Sequence, residues 1–205
     1  MRFSTLTISA VLILNLATSA LASTRSPREA GPLVFRSRGT VHAGGKDRPR
    51  DRTITLLRKG NLVAVKIDDH VDNKVIRGTL DVTADRQLVT EDPQMMNAAN
   101  LIAITPRVLA ELKRGVESVE TEGAVEANGK VYPVVMSHAL IGRGGETSEV
   151  VTVTESENGK LHFETRATVD SHGIPLRATT TGHVKVFVFN ADINLTLERV
   201  SGSSL

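Results

Sequence analysis

Residues 119–139 read VETEGAVEANGKVYPVVMSHA, and residues 149–169 read EVVTVTESENGKLHFETRATV. Each stretch is a pair of alternating runs around an Asn-Gly dipeptide, Asn128-Gly129 in the first and Asn158-Gly159 in the second. Asn-Gly suits the tight turn whose twist matches two antiparallel strands, so both stretches read as β-hairpins. The second arm of the second hairpin alternates without a break. Leu161, Phe163, Thr165, Ala167 and Val169 face one way, and His162, Glu164, Arg166, Thr168 and Asp170 face the other. That period of two marks a strand with one dry and one wet face.

The same alternation extends in both directions. Upstream, strands are expected at 33–41, 53–57, 62–67 and 74–83, with Arg58-Lys59-Gly60-Asn61 as a tight turn and polar loops at 43–52 and 68–73. Downstream, strands are expected at 174–181 and, as one long run, at 183–199, where Phe187, Phe189, Ala191, Ile193, Leu195 and Leu197 share a face. Gly142-Arg143-Gly144-Gly145 reads as a loop.

The middle of the chain differs. Asp92-Pro93 and Thr105-Pro106 each place a capping side chain before a proline at the first helical position. After the second, Val108, Leu109, Leu112 and Val116 recur at helical spacing; the first candidate, 94–103, is apolar and amide-rich. The expected fold is mainly β: a single antiparallel, strongly curved sheet or barrel of about nine or ten strands, with a helical insert near 93–116 on its concave or open side. A sheet this wide curls, because strands twist, and its dry face must be covered.

Residues 1–22 read as a cleavable signal peptide. Arg2 is followed by an apolar run from Leu6 to Leu16, and the small-x-small pair Ala20 and Ala22 places cleavage after Ala22. The run is shorter than the ~20 apolar residues of a membrane span. Residues 23–31 read as a disordered leader, 32–200 as one β-rich domain and 201–205 as a frayed tail. There is no cysteine in the chain, so neither disulfides nor a lipidated N-terminal cysteine are available to it. Export without disulfides points to the bacterial envelope, and the expected location is periplasmic or secreted.

Past the signal peptide, 24 Lys and Arg stand against 23 Asp and Glu, a net charge of +1. The balance gives no reason to expect nucleic acid. The distribution is uneven, however: ten Lys or Arg against three acids lie between Arg25 and Lys59. A patch of that kind suits an anionic surface such as lipid head groups, but a solvated, partly disordered arm and loop is the preferred reading. With no Trp and a single Tyr, Tyr132, the chain lacks the aromatic girdles of a membrane barrel and is expected not to be an integral membrane protein.

Chemistry is sparse. Asp68, Asp69, His70 and Asp72 crowd one loop but match no metal-loop spacing, and whether they hold a cation stays open. The six histidines show no paired ligand spacing. No catalytic, metal or cofactor motif is found, and no enzyme activity is expected. A dry concave face roofed by a Met-bearing helix suits an apolar ligand, with Met95, Met96, Leu109 and Leu112 as the candidate lining; packing into the core is the competing reading. The expected function is a periplasmic carrier or binding module for a hydrophobic small molecule or lipid. The alternative is an envelope module that binds another protein and no small molecule. In architecture alone, a helix-covered incomplete barrel resembles the periplasmic lipid and lipoprotein carriers.

Overall fold

The computed structural model of the protein describes residues 31–127, 129–186 and 189–202, with side chains given outside 186–189. The expected signal peptide, most of the expected leader, Asn128, Phe187 and residues 203–205 lie outside these. In chain order the elements are β1 (Leu33–Ala43), β2 (Lys46–Lys59), β3 (Leu62–Asp69), β4 (Lys74–Val82), β5 (Leu88–Val89), α1 (Pro93–Ala99), a 3-10 turn (Asn100–Ile102), α2 (Pro106–Lys113), β6 (Val119–Ala127), β7 (Lys130–Gly144), β8 (Thr147–Ser156), β9 (Leu161–Val169), β10 (Pro175–Val186) and β11 (Phe189–Ser201).

The strands form one sheet in the order β5-β4-β3-β2-β1-β11-β10-β9-β8-β7-β6, every neighbour antiparallel. The hairpins expected around Gly60, Gly129 and Gly159 are all present, and each of these glycines has φ between +64° and +74°. The sheet has eleven strands instead of nine or ten. The 43–52 segment, expected as a loop, is a turn at Gly44-Gly45 followed by the start of β2. Pro49 and the density of charge hid this strand. Proline is tolerated there because β2 has no second strand beside it before Arg52 pairs with Asp69. The run expected as one strand over 183–199 is two, since Val186 pairs with Phe189. β7 extends through Gly144, within the expected Gly-rich loop, and Ser201, placed in the expected tail, pairs with Val34.

The sheet does not close, so the barrel alternative is corrected. Its edges are β5, only two residues long, and β6, and the chain between them turns into helix. Both edges nonetheless meet the same element: α1 packs against β4, β5 and β6. A seven-residue helix is only ~10 Å long. For one such helix to touch both borders of an eleven-stranded sheet, the sheet must curl almost into a ring.

Amide side chains seal the seam. Asn97 donates from Nδ2 to the Glu126 carbonyl (3.1 Å) and accepts from the Glu126 amide (3.2 Å). Asn100 donates to the Ala124 carbonyl (2.9 Å), and Gln87 to the Glu122 carbonyl (3.2 Å). These partners occupy groups that a further strand would have paired, which removes β6 as a template for edge-to-edge association. The amide-rich composition of the first helix thus has a structural cause.

Both expected caps are in place. Asp92 accepts from the Gln94 amide (2.9 Å), and Thr105 from the Val108 amide (3.3 Å). α2 buries Val108, Leu109 and Leu112 but ends at Lys113, so Val116, expected on the same face, is exposed.

Candidate functional site

In an antiparallel sheet, directly opposed residues put their side chains on the same face. The register therefore lays out the concave face as rows running across the strands. One half of that face is packed under the helices. Leu33, Phe35, Leu56, Val63, Val65, Leu80 and Met95 form one cluster, and Ile104, Val108, Leu109, Leu112, Val150 and Val169 form another. Met95 is fully buried, its thioether seated where a side chain at Gly78 would stand, while Met96 is half-buried. Of the four residues expected to line a pocket, Leu109 and Leu112 thus pack together, and Met95 packs in the other cluster.

A polar row crosses the face below these clusters. His138 opposes Thr152, Thr152 opposes Thr165, and Thr165 opposes Thr180. His138 has no exposed surface. Its Nδ1 is 2.9 Å from the Thr152 hydroxyl and its Nε2 is 2.9 Å from the Thr121 hydroxyl; the Thr165 and Thr180 hydroxyls are 2.9 Å apart. Burial pushes the His138 pKa down to about 4, so the ring is neutral at pH 7. The row is hydrogen-bonded within the protein, and it separates the packed half from the other end.

Beyond it lies a third apolar cluster. Ala43, Val134, Met136, Leu161, Val184 and Ala191 are buried there, but Val41, Val125, Tyr132, Phe163 and Ile193 are only partly covered. Of the helical insert, Ala103 alone belongs to this cluster. The wall is also incomplete. β3 and β4 end level with Arg52, at the Asp69–Lys74 pair, whereas β2 runs on to Lys46. The concave face therefore has a closed half under the helices and an open end with partly exposed apolar side chains.

The free stretch of β2 borders that opening with a column of cations. Lys46 opposes Ala43, Arg48 opposes Val41, Arg50 opposes Gly39 and Arg52 opposes Ser37. Ala43 and Val41 belong to the inner cluster, so the whole column shares its face. Arg52 donates from Nε to Asp69 (2.7 Å), which is 4% exposed. Burial acts to raise the Asp69 pKa, but the bonds from Arg52 and from the Asp72 and Val71 amides outweigh it and hold the carboxyl below its ordinary value. Arg50 lies a loose 3.4 Å from the exposed Asp72. Period-two cations at 46, 48, 50 and 52 were visible in the sequence, but were read within a loop.

The Asp68–Asp72 loop is occupied by these and similar contacts. Asp68 pairs with Lys66 (2.8 Å), and His70 Nε2 lies 2.9 Å from the Thr53 hydroxyl. On the outer face, register alone assembles a row that no sequence spacing signals: Asp47, His42, Asp192, His183, His162 and Glu155 oppose one another in turn. His42 and His162 each bond a carboxylate at 2.8 Å, and the His162 and His183 rings stack at 5.6 Å. Among the described residues no three such side chains converge on a point that holds a metal ion. A surface hollow of about 400 Å³ adjoins this row, lined by His42, Gly44, His183 and Asp192 together with Val184 and Ala191 of the inner cluster. No protein-family model, curated protein or solved structure matches the chain.

Proposed function

We propose that the protein is an exported carrier or binding module for an apolar, lipid-like ligand, taken up at the open end of the concave face. The observation that carries this reading is the half-covered group Val41, Val125, Tyr132, Phe163 and Ile193, to which the helical insert contributes Ala103 of the buried cluster. Apolar side chains left partly wet on a concave surface favour an apolar occupant. The signal-peptide pattern of residues 1–22 supports a periplasmic or secreted location. Met95, Leu109 and Leu112 then act as the packed roof that fixes the curvature, and Met96, half-buried, is the adaptable member of the four.

The alternative reading is an envelope protein-interaction module. The stretch of β2 from Lys46 to Arg50, which has β1 alone as its strand partner, favours it, because an open edge is a template for another strand. Pro49 and the charges around it blunt that edge, which makes this the second choice.

The test is native mass spectrometry of the mature protein, purified from an envelope fraction without detergent. The expected spectrum carries extra mass that organic extraction removes and that proves to be a lipid or other hydrophobe. A bare chain that also takes up no added fatty acid would overturn the proposal.

A further inference from the structure

We infer that the ligand of this site is a single-chain amphiphile with an anionic head group, its tail on the half-covered apolar wall and its head met by Arg48 and Arg50 of β2. The inference rests on the apolar-ligand reading and adds the chemistry of the head. It starts from the column Lys46, Arg48, Arg50 and Arg52, all on the inner side of one strand. Alternate residues of a strand are ~7 Å apart, so the column runs along the whole bordering wall.

The four cations are not equivalent. Arg52, the innermost, is neutralised by buried Asp69 at 2.7 Å. Arg50 has only the distant contact to exposed Asp72 at 3.4 Å. Among the described residues Arg48 and Lys46 have no ion pair with a carboxylate, although Arg48 stands directly opposite Val41 of the apolar wall. On the outer face of the same hairpin Arg36 and Arg38 share one carboxylate, Asp51, at 2.7 and 3.7 Å, and Asp47 adds a second negative charge beside His42. Unmatched positive charge is therefore concentrated on the side that faces the apolar wall. A purely apolar ligand gains nothing from guanidinium groups at its exit, whereas a carboxylate or phosphate accepts paired, charge-assisted hydrogen bonds from them.

The fit is to a monomer. The apolar residues lie on the inside of a curled sheet, where one chain can enter, and a flat bilayer surface cannot follow them.

The experiment measures binding of palmitate and of palmityl alcohol to the full mature chain at a pH where palmitate is ionised. Wild type is expected to prefer the anion by about tenfold, the size of a single charge-assisted contact. The preference should weaken as salt is raised. R48E/R50E should abolish it while still binding the alcohol, and R48Q/R50Q serves the same purpose should charge reversal disturb the fold. Equal binding of acid and alcohol by wild type would overturn the inference and leave the apolar reading standing. Failure to bind either would remove both. Cosedimentation with intact phosphatidylglycerol vesicles, without uptake of monomer, would replace the inference by a membrane-surface contact.

Discussion

Gly173→Ala is expected to destabilise the protein by about 3 kcal/mol or more, the size reserved for backbone strain combined with a steric clash. Gly173 sits in the turn between β9 and β10 with φ +83°. The turn is over-determined. Gly173 donates to the Asp170 carbonyl (3.0 Å), the Asp170 carboxylate accepts from the His172 and Ile174 amides (2.9 and 3.0 Å), and Arg199 donates to the same carboxylate (2.8 Å). A methyl group at 173 would strike the carbonyl oxygen of Ile104, in the link between the 3-10 turn and α2. Neither backbone yields cheaply, so the helical insert must lift from the sheet. Gly159→Ala is the control. It has a similar positive φ, +64°, but open space around it, and should cost only about 1 kcal/mol. Urea unfolding of both variants checks the contrast, and equal losses would contradict the docking role of Gly173.

Stability should also fall steeply on mild acidification, with His138 as the cause. Its pKa lies near 4 in the folded protein and near 6.5 when unfolded. A group with a depressed folded pKa contributes stability that is fully present above the unfolded value and is lost as pH falls toward the folded one. Between pH 6.5 and 4 the unfolded chain takes up a proton that the buried ring refuses, and stability drops by ~1.4 kcal/mol per pH unit, about 3 kcal/mol across the window. Asp69, held below its ordinary value, acts in the same direction at lower pH, where its carboxylate is protonated and its bond to Arg52 weakens. His138→Gln keeps a donor and an acceptor for Thr121 and Thr152 but does not titrate. It should flatten the slope between pH 6.5 and 4. An unchanged slope would show that another group controls the transition.

Much of the fold was legible because local signals agreed with the global one. Asn158-Gly159 with the alternation from Leu161 to Val169 specifies both a turn and a face, and Asp92 and Thr105 mark their helices by capping chemistry. Misreadings arose where tertiary context overrode a local rule. Pro49 belongs to a strand because that part of β2 has one neighbour only, and the amides of Asn97 and Asn100 are spent on the edge of β6, a partner 29 residues away in the case of Asn97. The candidate site was the least legible. Its rim alternates in sequence at 46, 48, 50 and 52, but its wall draws on β1, β6, β7, β9 and β11, and only the register tells which of their residues share a face.

The most direct test of the central claim is fluorescence of Phe163→Trp, because the chain has no other Trp. Phe163 lies on the half-covered wall, opposite Thr154 and Gly182. Titration with a brominated fatty acid should quench the new indole saturably, with recovery on adding an unbrominated competitor. Quenching no stronger than that of free tryptophan in the same solution would contradict an apolar site at the open end of the sheet.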